Sequence, residues 1–224
     1  MDFQVIINNF EFLFVQGFLG FGGFAGGTLR LAIPAIVLGF ALGIIIGIGR
    51  LAKTRWIRFL ATIYVEFFRG VPLVMVIFWF WFIIPNLMRI SLPEYGIALT
   101  AFVVFEAAYL AEIVRAGIQS VGRGQVEAAA ATGLSDSQTM RQIVLPQALR
   151  NMIPALVTQF IVLLKDTSLA SIIGYIDLTK AAQIVNNREI RPFELYLFIA
   201  VIYWSVSYAM SRYAQRLERR LSVA

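Results

Sequence analysis

The sequence predicts an all-α integral membrane protein with about five transmembrane helices. Of its 224 residues, 59% are hydrophobic and only 14% are charged. A water-soluble domain keeps roughly a quarter of its residues charged, because its surface faces water. The apolar residues fall into five stretches, each long enough to cross the hydrocarbon core of a bilayer as a helix of roughly 20 residues. Basic residues cluster in the short segments between these stretches.

The predicted spans follow one another along the chain at residues 26–49, 59–85, 96–115, 152–175 and 195–213. In the first span, Ala35, Gly39, Gly43 and Gly47 recur at every fourth position. Small residues on one helix face allow a second helix to approach closely in lipid, so this stripe predicts helix packing. In the second span, Pro72 predicts a kink that frees a backbone carbonyl.

Residues 1–24 are predicted to form a periplasmic or interfacial segment ahead of the membrane domain. Residues 10–24 are rich in Phe and Gly, and a short sixth span is the alternative interpretation. Glu11, Gln16 and the glycines between 17 and 27 favour the interface. The transmembrane domain is predicted at 25–216, with a cytoplasmic tail at 217–224. The first residues lack the positive charge of a secretory signal, so we expect no cleaved signal peptide.

The distribution of Lys and Arg predicts the orientation in the membrane. Twelve of them lie on one side of the predicted bilayer: Arg50, Lys53, Arg55, Arg58, Arg115, Arg123, Arg141, Arg150, Arg212, Arg216, Arg219 and Arg220. Five lie on the other side: Arg30, Arg89, Lys180, Arg188 and Arg191. Because short cytoplasmic loops carry an excess of basic residues, we expect the N-terminus outside and the C-terminus in the cytoplasm.

Composition and motifs exclude several functions. The net charge of +6 is spread over these loops and forms no aromatic-basic motif, so nucleic acid is not an expected partner. Cys and His are absent, which excludes disulfides, Cys/His metal sites and a Ser-His relay. The segment from Gly47 to Thr54 approaches a phosphate-binding loop, but Ala52 replaces its second glycine and the segment ends a membrane helix. We therefore expect no enzyme activity and no cofactor in this chain.

A polar segment at 119–150 separates the third and fourth predicted spans. Its alanine-rich run at 126–132 favours helix. Gly133 is predicted to end this helix in a backbone conformation with positive φ. Ser135 is a candidate N-cap for a second short helix through about Val144, and Pro146 is predicted to end the unit. Residue types alone indicate an amphipathic cytoplasmic hairpin.

The spacing in this segment resembles the EAA loop of ABC importer permeases. Glu127-Ala128-Ala129 is followed after three residues by Gly133, after nine by Ile143 and after one by Leu145-Pro146. Three other segments resemble polar amino-acid permeases: Phe67-Phe68-Arg69-Gly70-Val71-Pro72-Leu73, the run from Glu106 to Ile118, and Leu163-Leu164-Lys165-Asp166-Thr167-Ser168-Leu169. The resemblance covers about residues 25–215.

The resemblance implies the partners and the location. Two permease subunits, identical or homologous, would form the pathway in a bacterial cytoplasmic (inner) membrane. A dimer of ABC ATPase subunits would hold ATP and Mg²⁺, and a periplasmic or lipid-anchored binding protein would deliver the amino acid. The residues implied in coupling to the ATPase are Glu127, Ala128, Ala129, Gly133, Ile143, Leu145 and Pro146.

Ionisable residues inside a membrane are costly, so each needs a partner or a function. Glu66 and Arg69 are three residues apart and are predicted to pair, as are Glu112 and Arg115. Lys165 is predicted to pair with a carboxylate of another helix. The candidate substrate pathway comprises Glu66, Arg69, Glu106, Gln159, Lys165, Asp166 and Ser168.

The residues also limit the cargo. Gln159 and Asp166 are two helical turns apart and share a face. In this arrangement Asp166 can bind the α-ammonium group of an amino acid, and Arg69 or a helix terminus its α-carboxylate. Neutral Gln159 offers no charge to a cationic side chain, and the runs 71–76 and 105–109 look most like glutamate/aspartate importers. Glutamate, aspartate or glutamine is thus the expected cargo. The alternatives are a basic or other amino acid, or an ATPase-independent secondary transporter, for which no internal repeat is found.

Overall fold

The computed structural model describes residues 3–21, 26–89 and 92–222, and every regular element in these ranges is a helix. The α-helices are α1 Gln4–Asn8, α2 Thr28–Leu51, α3 Arg55–Gly70, α4 Leu73–Phe78, α5 Ile84–Met88, α6 Glu94–Gln119, α7 Arg123–Ala131, α8 Asp136–Thr139, α9 Leu145–Asp166, α10 Leu178–Glu189 and α11 Pro192–Ser222. Wider π-helical turns occur at Glu11–Leu19, Trp79–Ile83 and Met140–Val144, and a 3₁₀ helix at Thr167–Ile173.

Up to five of these helical segments are long and apolar enough to cross a membrane. Four are single segments, at Thr28–Leu51, Glu94–Gln119, Asp136–Ile173 and Pro192–Glu218. The fifth is the pair Arg55–Gly70 and Leu73–Leu87, if the two bent halves form one span. The predicted fold class, an all-α membrane protein with about five spans, is confirmed.

The second span is broken at the position where a kink was predicted. Its two halves meet at an angle of 105°. Val71 and Pro72 are both extended, with ψ of 148° and 139°. A proline disfavours the helical conformation of the residue before it, so α3 ends at Gly70. The Pro72 carbonyl then accepts a hydrogen bond of 3.0 Å from the Met75 N–H as α4 begins.

The fourth span begins earlier than predicted and joins the polar segment without a break. The prediction that Pro146 ends the second short helix is wrong. Pro146 lies in the first turn of α9, directly after the wider π-helical turn at Met140–Val144. The helical path therefore continues from α8 through Met140–Val144 into α9.

Helix α10 lies between the fourth and fifth predicted spans, where no helix was predicted. Asp177 caps it by accepting hydrogen bonds from the N–H groups of Thr179 (3.0 Å) and Lys180 (2.9 Å). Burial raises the pKa of the Asp177 carboxyl to about 6, although these hydrogen bonds act to lower the pKa. The buried residues of α10 follow helical spacing: Leu178, Ala181, Ala182 and Val185. This pattern was present in the sequence and was overlooked.

The N-terminal segment packs against α10 and α11 in one apolar cluster. Leu13 is fully buried there, and Gly17 allows close contact, since a Cβ at this position would lie 2.8 Å from the Cβ of Ala181. The helical stretch Glu11–Leu19 has nine residues, which is too short to cross a bilayer. Residues 22–24 of the alternative sixth span lie outside the described ranges, and the interfacial location stays a prediction.

The small-residue stripe of α2 forms a helix contact, as predicted, and its partner is α6. A Cβ added to Gly43 would lie 2.8 Å from the Leu110 Cβ and 3.1 Å from the backbone N of Ala111. A Cβ at Gly39 would lie 3.2 Å from the Glu106 Cβ. Glycine at these positions thus allows the backbones of α2 and α6 to approach each other. At Gly39 it also allows the Glu106 side chain to pack directly against α2.

Replacing Gly43 with valine should destabilise the folded chain by about 1–3 kcal/mol, because the added atoms overpack this contact. Ala41 is exposed on another face of α2, and Ala41→Val is the matched control with the same new side chain. The measurement is the thermal melting temperature of the purified protein in detergent. Equal melting temperatures for the two variants would contradict the α2–α6 packing.

Candidate functional site

A cavity of about 360 Å³ lies between the end of α3, α6 and α9. Its polar lining side chains are Arg69, Tyr109, Glu112, Ser120, Asn151 and Gln159. Helical spacing brings them together, since 109, 112, 116 and 120 follow one face of α6 and 151, 155 and 159 follow one face of α9. Asn151 donates a hydrogen bond of 2.8 Å to the Ser120 hydroxyl and thereby links the two helices at one end of the cavity.

Arg69 supplies the one cationic side chain among the described residues that line this cavity. Its guanidinium carbon lies 5.6 Å from the centre of the Tyr109 ring, which is within the range of a cation–π contact. The Phe105 ring in turn contacts Tyr109, with centroids 5.1 Å apart. Tyr109 therefore orients Arg69 without neutralising it, and the guanidinium donors remain available for an anionic group.

Glu106 and Gln159 form a polar pair beside the cavity, in which Glu106 is buried and Gln159 is half-buried and lines the cavity. The Gln159 Nε2 donates a hydrogen bond of 2.8 Å to Glu106 Oε2. The Glu106 side chain is fully buried, and its Oε1 has no hydrogen-bond partner in the described part of the chain. This hydrogen bond fixes the orientation of the Gln159 amide. The Gln159 Oε1 therefore remains available to accept a hydrogen bond.

An ion-pair network connects α2, α3 and α6 beside the cavity. Arg50 pairs with Glu112 and, at 3.3 Å, with Glu66. Glu112 also pairs with Arg115, which confirms one predicted pair. The predicted pairing of Glu66 with Arg69 is wrong, because Arg50 reaches Glu66 from α2 while Arg69 turns towards Tyr109.

Of the seven predicted pathway residues, only Arg69 and Gln159 line this cavity, and the other five lie outside its lining. Glu66 and Glu106 belong to the ion-pair network and the polar pair described above. Asp166 is seven residues beyond Gln159 on α9, which places it about 10 Å further along the axis. Ser168 follows in the 3₁₀ helix, and both residues are half-buried. Lys165 is exposed and forms no ion pair within the described ranges, so its predicted pairing with a carboxylate of another helix is not found there and stays a prediction.

The polar segment between α6 and α9 turns at Gly133, which has the predicted positive φ, at +84°. The Gly133 N–H bonds to the Ala130 carbonyl at 3.0 Å, and the Leu134 N–H to the Ala129 carbonyl at 3.2 Å. These two bonds form a Schellman motif, which ends α7. Ser135 then caps α8 as predicted, and its capping box is completed by Gln138.

Several apolar side chains of this segment are exposed. The exposed fractions are 40% for Val126, 43% for Met140, 40% for Leu145 and 47% for Leu149. Glu127, Ala128 and Pro146 are also exposed, Ile143 is half-buried, and Ala129 is buried against the segment itself. Exposed apolar residues grouped with a charged residue are typical of a surface that binds another protein.

Sequence reasoning missed several residues of the cavity. Tyr109 lies in a segment that resembles amino-acid permeases but was not predicted as a pathway residue, and neither were Ser120 and Asn151. Counting back from Gln159 in steps of four would have reached Asn151, and counting forward from Tyr109 along the same α6 face would have reached Ser120. No local sequence pattern predicts the ion pair Arg50–Glu66, because its two residues belong to different helices.

No group of three or more Asp or Glu side chains in the described ranges is arranged to hold a metal ion. The site contains the Arg69 guanidinium without an ion-pair partner in the described ranges, the Glu106–Gln159 pair, and neutral donors and acceptors from Ser120, Asn151 and Tyr109. It also contains the Glu112 carboxylate, which is paired with Arg50 and Arg115. These groups can bind a small polar molecule that carries both an anionic group and hydrogen-bonding groups.

Comparison with known proteins relates the chain to membrane transport proteins. Residues 39–223 match the family described as "Binding-protein-dependent transport system inner membrane component". The chain is 43% identical over 196 residues to the "Probable glutamine ABC transporter permease protein GlnP" of Bacillus subtilis (strain 168), covering 86% of this chain and 89% of that protein. It is 40% identical over 200 residues to the "Glutamate/aspartate import permease protein GltK" of Escherichia coli O157:H7, with the same two coverages.

The fold is also similar to that of a solved transporter. The structure described as "Crystal structure of an amino acid ABC transporter with histidines" matches with a TM-score of 0.90 and 32% identity, covering 98% of this chain and 99% of that one. A chain of the MetNI methionine ABC transporter in an inward-facing conformation matches with a TM-score of 0.72 at 20% identity, covering 87% and 92%. The second match bears on the fold alone.

Proposed function

The chain belongs to the family of binding-protein-dependent transport system inner membrane components, and from this premise we propose that it is the translocation subunit of an ATP-driven importer for a polar amino acid. The observation that carries the proposal is the exposed segment around Gly133, which is covalently continuous with a helix that lines the polar cavity. The membrane is a bacterial cytoplasmic (inner) membrane, and the importer contains a second permease subunit, identical or homologous.

The coupling segment, residues 119–150, docks onto a separate ATPase subunit. Exposed Glu127, Val126 and Leu145 supply a charged and apolar surface for this contact. ATP and Mg²⁺ belong to the ATPase dimer, and this chain carries no cofactor. Because the path from α8 into α9 is unbroken helix, a displacement of the segment is transmitted to Asn151 and Gln159 in the cavity wall. ATP binding thereby changes the shape of the substrate site.

The cargo binds in the cavity with its α-carboxylate on Arg69. Glutamine is favoured within the expected set of glutamate, aspartate and glutamine. Glutamate and aspartate carry a side-chain carboxylate, and the described lining residues offer it no cation besides Arg69. The Gln159 Oε1, whose orientation Glu106 fixes, accepts from the side-chain amide or the ammonium group. Resemblance to a probable glutamine permease supports this choice. Glutamate or aspartate is the second candidate, supported by the resemblance to GltK.

A binding protein outside the membrane delivers the amino acid, and the bias of Lys and Arg supports an N-terminus on that side. A single cysteine tests this orientation, because the chain contains none. Ser137 is exposed in α8 and takes no part in the capping box of Ser135. We expect Ser137→Cys to resist an impermeant thiol reagent in intact cells and to react after permeabilisation. Labelling in intact cells would contradict the orientation.

A further inference from the structure

The first two turns of α3 form an exposed groove of about 720 Å³ that the transport cycle proposed above does not use. The groove is lined by Arg55, Trp56, Arg58, Phe59 and Thr62. Four of these residues, at positions 55, 58, 59 and 62, share one helix face. The Trp56 and Phe59 rings meet edge to face, with centroids 6.1 Å apart. Two guanidinium groups thus lie one turn apart beside an aromatic pair.

The two arginines lack acidic partners, unlike the basic residues that precede them. Arg50 is paired with Glu112 and Glu66, and Lys53 lies 3.6 Å from Asp136. Arg58 donates one hydrogen bond of 3.2 Å to the Ala52 carbonyl. Neither Arg55 nor Arg58 forms an ion pair with a carboxylate in the part of the chain that the structure describes. Their charge is therefore available to an anion.

The apolar side chains of the same turns are exposed as well. Trp56 is 73% exposed, Leu60 is 64% exposed and Phe59 is 52% exposed. The contact of Lys53 with Asp136 places the start of α3 beside the coupling segment, at the edge of the membrane. The 105° bend prevents α3 and the following half-span from both running along the membrane normal. Arginine combined with Trp, Phe and Leu on such a helix is typical of the lipid headgroup layer.

We propose that this groove binds the headgroup of an anionic phospholipid. Arg55 and Arg58 bind the phosphodiester, for which the planar guanidinium provides matched pairs of donors. Phe59, Trp56 and Leu60 contact the glycerol region and the upper acyl chains. The leaflet is the one on the side of the coupling segment, which is the cytoplasmic leaflet if the proposed function holds. Anionic lipids give that leaflet the negative surface potential that attracts basic side chains.

The test is native mass spectrometry of the complete importer complex, purified from nanodiscs that contain phosphatidylglycerol, cardiolipin or phosphatidylcholine. The double variant Arg55→Gln/Arg58→Gln should bind phosphatidylglycerol about 30-fold more weakly than the unmodified complex. The matched control is Arg212→Gln/Arg216→Gln, which removes two exposed arginines one turn apart on α11. The control should change binding by less than about threefold. Cardiolipin, which is also anionic, should bind at the same residues. Equal binding of phosphatidylcholine, whose phosphodiester is balanced by the cationic choline, would contradict a site for anionic lipid.

Equal losses of phosphatidylglycerol binding in the two double variants would overturn the proposed site, because general charge attraction would then explain the binding. Retention of phosphatidylglycerol by Arg55→Gln/Arg58→Gln would overturn it as well. So would a disulfide between Trp56→Cys and a cysteine of a second permease or of the ATPase, because another protein would then cover the groove. Lipid retention is measured without transport, so failure here leaves the importer proposal intact, and failure of ATP-driven uptake would not alter the lipid result.

Discussion

Replacing Gly133 with valine is expected to lower ATP-driven uptake more than tenfold while leaving membrane insertion intact. The φ of +84° at this position is disfavoured for residues with a Cβ, and most strongly for β-branched ones. The substitution creates no steric clash at Cβ, because a Cβ at Gly133 would meet no atom within 4 Å. The strain therefore falls on the backbone turn between α7 and α8, and we expect it to displace the surface that we propose docks the ATPase. Uptake and co-purification of the ATPase subunit are the two measurements.

Two control variants separate backbone strain from the added bulk. Gly122 also has open space around its Cβ position, and its φ is −58°, so Gly122→Val adds the same side chain without strain. Gly133→Asn adds a side chain that tolerates positive φ. Both controls should retain most of the uptake. Normal uptake and normal ATPase association in Gly133→Val would contradict the role of this turn in coupling.

Replacing Gln159 with glutamate should also reduce amino-acid uptake by more than tenfold. The new carboxyl group would replace an amide that now donates to Glu106 at 2.8 Å, so two acidic groups would face each other at the cavity wall. A misplaced like charge in a desolvated site costs several kcal/mol. The sequence alone predicts a milder effect for Gln159→Ala. The structure changes this expectation, because alanine would leave both oxygens of buried Glu106 without a partner.

A double variant distinguishes a structural role of Gln159 from contact with the substrate. Glu106→Gln/Gln159→Glu restores a hydrogen bond between the two positions and moves the acidic group to the lining of the cavity. We expect it to recover the melting temperature that Gln159→Glu loses, but not the uptake of glutamine or glutamate. Recovery of both properties would assign Gln159 a purely structural role and remove it from the substrate site.

The sequence predicted the elements that depend on local composition. The spans, the break at Pro72, the positive φ of Gly133 and the cap at Ser135 all follow from residue types within a few positions of one another. The stripe of small residues on α2 likewise identified a close helix contact, although its partner α6 was not named.

The error in ion pairing concerns the choice between near and distant partners. Glu66 and Arg69 are suitably spaced for a pair within one helix, but Arg50 from α2 and the Tyr109 ring from α6 bind them instead. The cavity itself could be predicted only in part. Arg69 and Gln159 line it, while Lys165, Asp166 and Ser168 lie beyond it because α9 carries them about 10 Å further along its axis. Such distances depend on tertiary packing, which spacing along one helix does not encode.

The most direct test of the central claim is uptake of labelled glutamine into proteoliposomes that contain this chain with its partner permease and ATPase. The glutamine-loaded binding protein is added outside, and ATP is enclosed inside. We predict uptake that requires enclosed ATP, stops with a non-hydrolysable analogue, and is inhibited more strongly by glutamine or glutamate than by arginine. Uptake that proceeds without ATP, driven by an ion gradient alone, would contradict the assignment of this chain as the translocation subunit of an ATP-driven importer.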